Sequence, residues 1–325
     1  MRIPYLALSA LAWLSTSSGT TLAQAPAPRS ITLIAPFPAG GPSDALGRIL
    51  SEPLRMALGQ PIVIENVAGA GGNLGMARLA RSDPDGSTIG IGQWSTHVVN
   101  PVTYKLTYDV IADFEPVALL ANAPQLIVAR KTFPAEDVKS LVAWLKANPD
   151  KANAATVGAA GGAQIAGMYF QQATGTKFQF VSYRGGAPAM QDIVAGQIDF
   201  MFDQGPNALG QVKSGAIKAY ATMSKSRWFA APEIPTIDEA GMPGLHISYW
   251  HAMWAPKATP KDVVARLNAA VVKALADPVV RQRFGDLGQE IWPAGQQTPE
   301  ALLAFHKAEI ERWWPIVRAT NIRAE

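Results

Sequence analysis

The sequence predicts an α/β protein built as two lobes joined by two crossings of the chain. Three observations carry this. Apolar residues switch repeatedly between a spacing of 2 and one of 3.6, as they do when strands of a mostly parallel sheet alternate with covering helices. Small-residue loops stand between a strand and the following helix at four places. The chain has 325 residues, 48% of them hydrophobic, which is enough to bury two medium cores.

The elements follow in order. After a Pro/Ala linker at Pro26 to Pro28, "SITLIAPF" reads as a strand, Ser43 to Leu58 as a helix and "PIVIEN" as a strand. Leu74 to Arg81 is then a helix and "STIGIGQW" a strand. In "FEPVALLANAPQLIVARK" two apolar runs flank Pro124, so we expect a strand that ends, crosses to the second lobe and resumes. The second lobe holds helices near Ser140 to Ala147, Ala163 to Thr174 and Pro188 to Ala195, with strands at "NAATVG", "FQFVSY", "IDFMF" and "IKAYATM". "ISYWHAMWA", Ile247 to Ala255, looks like the return crossing. Amphipathic helices at Pro260 to Ala276 and Pro299 to Val317 close the chain. The expected division is residues 26–125 and 248–325 for the first lobe and 126–247 for the second, with a hinge and a cleft between them.

Composition narrows the function. Lysine plus arginine number 28 and aspartate plus glutamate 25, a net +3 with no basic run, which argues against nucleic acid as a partner. There is no cysteine, so thiol catalysis, disulfides, thiolate metal sites and a lipidated N-terminus are all excluded. The opening "MRIPYLALSALAWLSTSSGTTLAQAPAP" has an early Arg2, an apolar run from Ile3 to Leu14 and the small-x-small Ala23-Gln24-Ala25. It reads as a signal peptide, residues 1–25, cleaved near Ala25. No later stretch reaches the ~20 apolar residues of a membrane-spanning helix. We therefore expect a periplasmic protein.

The four loops are "PAGGPSD" (Pro38 to Asp44), "AGAGGNLG" (Ala68 to Gly75), "VGAAGGAQ" (Val157 to Gln164) and "RGGAPA" (Arg184 to Ala189), two in each lobe. Singly each is a tight turn. Together, at the carboxyl ends of strands and the starts of helices, they predict a cleft into which helix N–H groups point, suited to an anion. Ser43 can donate to a ligand oxygen or cap its helix. Asp44 is better placed to organise the loop, and Phe37 can shield a ligand. Ser95, Thr96 and His97 follow a strand at the same edge and offer donors, while Arg184 and Asp203 stand at cleft-facing ends.

Known cofactor and catalytic patterns fit poorly. Gly69, Gly71 and Gly75 give G-x-G-x-x-x-G rather than the dinucleotide spacing, and no acidic residue ends the next strand. There is no G-x-x-x-x-G-K-[ST] and no G-x-S-x-G. The four histidines, His97, His246, His251 and His306, show no paired-ligand spacing. We expect no enzyme, no cofactor and no metal. The anion that remains is a carboxylate, small enough for backbone N–H groups and hydroxyls.

Five segments, "PFPAGGPSDALGR", "ENVAGAGGNLG", "DPDGSTIGIG", "SYRGGAPAMQDIVAGQIDFMFD" and "WAPKATPKDVVARLN", resemble the extracytoplasmic solute-binding receptors of tripartite tricarboxylate transporters, the Bug receptors. The resemblance spans almost all of the chain after the signal. It implies a type II periplasmic-binding fold whose lobes close like a flytrap on a carboxylate, and delivery to a membrane permease by a receptor we expect to be a monomer. Carried over residue by residue, it nominates Phe37, Ala39, Gly40, Ser43, Asp44, Ser95, Gly161, Gly162, Ala163, Gln164 and Asp203 as ligand-binding. Two departures stand out. Gly161 and Gln164 occupy places where the family carries a serine and a histidine, which predicts a larger pocket on that side and makes an aromatic carboxylate such as terephthalate a candidate beside aliphatic di- and tricarboxylates. Val67-Ala68 stands where the family often has a proline. Two other readings are a periplasmic sensor that signals to a membrane kinase, and an exported hydrolase, for which no nucleophile motif is present.

Overall fold

A computed structural model describes residues 29–323. The expected signal peptide lies outside them. Among the described residues, no helix is long and apolar enough to cross a membrane.

The first lobe opens with β1 (Ile31–Ala35), α1 (Pro42–Leu58), β2 (Ile62–Asn66), α2 (Asn73–Ala80) and β3 (Thr88–Gln93). The sequence dictates α1 closely. Pro42 fills the first turn, where a missing N–H costs nothing, and Gly59 ends the helix with a positive φ of 70°. Its fully buried leucines, Leu46, Leu50 and Leu54, lie on one face and pack with Leu33, Ile91 and Met253. Each such side chain contributes roughly 1.5–3 kcal/mol. After β3 the chain makes a buried π-helical turn, Ser95–Val99, and a short α3 (Asn100–Thr103).

Next comes β4 (Phe114–Arg130), 17 residues without a break. The expected interruption at Pro124 is absent, and the ladder explains why. Residues from Phe114 to Pro124 pair with β9 (Ser248–Pro256), while Gln125 onward pair with β7 (Phe200–Gln204) and β8 (Ile217–Thr222). Pro124 sits at the changeover between partners, where its missing N–H breaks no ladder. The second lobe contains α4 (Val138–Ala147), β5 (Asn153–Val157), α5 (Gly162–Thr174), β6 (Gln179–Tyr183), α6 (Gly186–Val194), β7, α7 (Gly205–Lys213) and β8. After β9 the chain finishes with α8 (Lys261–Ala276), α9 (Pro278–Asp286), β10 (Glu290–Ile291) and α10 (Pro299–Ala319).

The strands form one ten-stranded sheet, in order β2-β1-β3-β9-β4-β7-β5-β6, with β8 and β10 both added on β4. β1 pairs in parallel with β2 and β3, and β5 in parallel with β6 and β7. The two halves thus repeat one arrangement, a first strand flanked by the two that follow. The central strands β9 and β4 are antiparallel, and they are the two crossings. This is the two-lobed α/β fold of periplasmic binding proteins.

Candidate functional site

The carboxyl ends of β1, β3, β5 and β7 face one another across the molecule and enclose a cavity with about 610 Å³ of empty space. The centre of a water molecule has about 40 Å³ of it, room for roughly three waters. Each half of the sheet reverses its strand order at β1 or β5, the place where ligands bind in open α/β sheets.

Four helices begin at this wall. Pro42 and Ser43 of α1, Ala163 of α5, Gly186 and Ala187 of α6, and Asn207 of α7 all line it. None of the four has a side chain capping its first turn. Of the helices that begin elsewhere, α4, α9 and α10 are capped by Asp137, Asp277 and Thr298, while α2 and α8 also lack a side-chain cap, so it is the convergence of the four starts that marks the cavity. Each uncapped start carries about half a positive charge on free N–H groups. Among the described residues no lysine or arginine lines the cavity, and Asp203 is its one acidic residue. An anion held here is held by dipoles.

A buried amide organises the hydroxyls. Gln93, at the end of β3, accepts from Ser43 Oγ at 3.1 Å and donates through Nε2 to Ser95 Oγ at 2.9 Å. A longer contact of 3.5 Å runs from the same Nε2 to the Tyr249 hydroxyl. Ser95 therefore accepts from Gln93 and keeps its own proton to offer a ligand, while the Tyr249 hydroxyl stands among Gln93, Ser95 and Gln204. Burial, with the Asp203 charge adding to it, pushes the Tyr249 phenol upward, so it stays a donor. Asp203, 3% exposed, accepts from the Gln204 N–H at 2.8 Å and Asn207 Nδ2 at 2.6 Å. Without a cation beside it, burial pushes its carboxyl up to about 7, against the pull of those two bonds.

Of the residues nominated from sequence, Phe37, Ser43, Ser95, Ala163 and Asp203 line the cavity together. Ala39, Gly40, Asp44, Gly161, Gly162 and Gln164 do not. Asp44 builds the loop beside it, accepting from the Gly40 N–H at 2.9 Å and from Arg48. Burial works to raise its carboxyl, but bonds from Arg48, Gly40 and Asn66 outweigh that and hold it below the ordinary value. Gln164 turns back to accept from the Ala160 N–H at 2.7 Å. A Cβ on Gly161 would stand 2.3 Å from the Val157 carbonyl, and one on Gly162 would stand 2.9 Å from both Trp94 and the Tyr249 hydroxyl. These positions are therefore packed rather than vacant, against the expectation of a pocket enlarged there.

The neighbouring candidates are also redirected. His97 is fully buried and stacks on Trp254 at 4.5 Å, so it offers nothing to the cleft, and Thr96 spends its hydroxyl on Gln93. Arg184 is exposed. His246 precedes β9 and pairs with Asp238 at 2.8 Å, so it does not share a strand with His251. Sequence reasoning missed Gln93, Gln125, Gln204, Asn207 and Tyr249. Their signal was position alone, polar residues at the ends or crossings of apolar strands.

Fold and cavity together define a two-lobed binding protein, and comparison with known proteins places it. The model of the tripartite tricarboxylate transporter family receptor matches residues 46–322, and the chain belongs to that family. The periplasmic binding protein BugD is 37% identical, with a TM-score of 0.86 over 91% of this chain and 99% of BugD. MatC from Rhodopseudomonas palustris, solved with bound malate, is 37% identical, with a TM-score of 0.85 over 89% of this chain and 99% of MatC. A second R. palustris protein, solved with adipate, is 29% identical, with a TM-score of 0.85 over 91% of this chain and 98% of its own.

Proposed function

We propose that this protein captures a small carboxylate in the cavity between its lobes and passes it to the membrane permease of a tripartite tricarboxylate transporter. The observation that carries this is the convergence of four uncapped helix starts on a cavity with no basic side chain. Such a site stabilises a small anion through N–H groups and hydroxyls alone. Malate in MatC and adipate in the second relative support a carboxylate. On this reading one ligand carboxylate meets the start of α1 with Ser95 and Tyr249, and Ala163 and the start of α6 close from the other lobe. The lobes divide at residues 125/126 and 247/248, where β4 and β9 cross. Residues 1–25 are the export signal, and the protein acts in the periplasm without catalysing a reaction.

The candidates are aliphatic di- and tricarboxylates and aromatic carboxylates such as terephthalate. A thermal-shift screen of the purified protein against aliphatic and aromatic mono-, di- and tricarboxylates tests the reading, because a ligand bound only by the native state raises Tm. A rise with at least one carboxylate, lost in Ser95→Ala, is expected. No rise across the panel, by a protein that is folded and stripped of ligand, would refute the carboxylate assignment.

A further inference from the structure

Two amide oxygens at the cavity have no hydrogen-bond partner among the described residues. The ladder between β4 and β7 sets Gln125 directly opposite Gln204, so their side chains emerge as neighbours, and both residues line the cavity. Gln125 is fully buried, and its Nε2 donates to the Phe202 carbonyl at 2.9 Å. That bond fixes the amide, because turning it over would set oxygen against oxygen. Its Oε1 is left buried without a partner, and so is Oε1 of Gln204. Asp203, beside Gln204, adds a carboxyl group whose partners among the described residues are the Gln204 N–H and Asn207 Nδ2. Buried acceptors without donors destabilise the empty protein, and a ligand that brings donors relieves them.

We propose that the ligand carries, next to its carboxylate, an N–H or O–H donor that docks on Gln125 Oε1, Gln204 Oε1 and Asp203. This rests on the carboxylate reading above and sharpens it. Such a ligand is a hydroxy acid or an amino acid rather than a plain di- or aromatic carboxylate. A plain dicarboxylate has acceptors alone, so it strands both glutamine oxygens. An ammonium supplies three protons to three acceptors and cancels charge, and a hydroxyl supplies one. The raised carboxyl of Asp203 agrees, since a donor from the ligand is what would return it to the ionised form.

Matched sets separate this inference from the reading beneath it. Calorimetric affinities are measured on purified protein freed of co-purified ligand by unfolding and refolding. The sets are succinate, malate and aspartate; glutarate, 2-hydroxyglutarate and glutamate; and phenylpropionate, phenyllactate and phenylalanine. In at least one set the hydroxy or amino member is expected to bind about tenfold or more tighter than its parent. Preference for the hydroxy member alone assigns a hydroxyl, and for the amino member alone an ammonium. Parents that bind as tightly as both partners overturn the inference and leave the carboxylate reading standing. Failure of every member overturns the inference, and the carboxylate reading falls with it when the wider thermal-shift panel of mono-, di- and tricarboxylates also fails. In Gln204→Met, and independently in Asp203→Asn, the affinity ratio within the preferred set should fall toward one. A ratio unchanged in both folded variants assigns the preference to other residues and also overturns the proposal.

Discussion

Gln93 shows how one side chain decides the chemistry of its neighbours. By accepting from Ser43 and donating to Ser95, it commits the Ser43 proton and leaves that of Ser95 free to face the cavity. The buried titratable residues leave a second signature. Burial pushes His251 down to about 3 and His306 to about 4, and it lowers His97 as well, with the charge of His306 adding to the effect. Below the ordinary histidine value the unfolded chain therefore takes up protons that the native state refuses, so stability falls as pH drops from about 6.5 to about 4. Asp203 has the opposite sign. Raised to about 7, it holds a proton that the unfolded chain has lost, and so contributes stability as pH falls through the same range. Glu309, raised by burial, joins it at the lower end. Three histidines outweigh these two acids. Scanning calorimetry should find Tm falling from pH 6.5 to pH 4, and falling more steeply in Asp203→Asn, which removes an opposing slope. A flat profile, or one that Asp203→Asn leaves parallel, would show that these groups do not set the pH response.

At the scale of elements, the site depends on how closely α5 approaches the floor of the cleft. Gly162, the first residue of that helix, lies against Trp94 and Tyr249, and Trp94 is wedged in turn against Trp313 of α10 at 5.0 Å. Gly162→Val forces these rings or the helix to move. We expect a loss of about 1–3 kcal/mol in stability, measured by urea denaturation, together with loss of carboxylate binding. Wild-type values for both would show that α5 has slack at this point. Gly40 differs in kind, for a Cβ there meets nothing within 4 Å. Its φ of +85° is what a larger residue would strain. Such distinctions mark the limit of what the sequence made legible. Strand and helix order could be read because period and punctuation are local, and the loops after β1 and β5 announced themselves through runs of small residues. Asp44 was legible as a loop organiser because an acid in a first turn beside a glycine has few other tasks. Gln93, Gln125 and Gln204 were not, since a glutamine acquires its role from the strand opposite, and pairing across the sheet is not written in any short segment. His97 misled for the same reason. It follows the strand that ends at Gln93, yet the π-helical turn rotates it into the core against Trp254.

At the scale of the whole molecule, the lobes meet on both sides of the cavity. A Cβ on Gly185 would stand 3.1 Å from Pro38 of the other lobe, and one on Gly158 would stand 2.9 Å from Gly71. The Tyr104 hydroxyl donates across the same gap to the Ala159 carbonyl. These are contacts between the lobes that bare backbone makes possible. Gly185 has an extended φ of −171°, which a valine adopts freely. Gly185→Val should therefore fold normally but hold the lobes apart: a Tm within about 2 °C of wild type, about tenfold or more weaker binding, and no compaction by small-angle scattering when ligand is added. Normal affinity with full compaction would place the rim elsewhere. The order in which the chain is made has its own consequence for α10. Every residue that lines the cavity lies at or before Tyr249 in the chain, whereas the helix that backs Trp94, and lends Trp314 Nε1 to the Val98 carbonyl, begins only at Pro299. A growing chain can therefore hold every described lining residue before the helix that backs Trp94 exists, and the floor of the cavity gains its support only once α10 has been made.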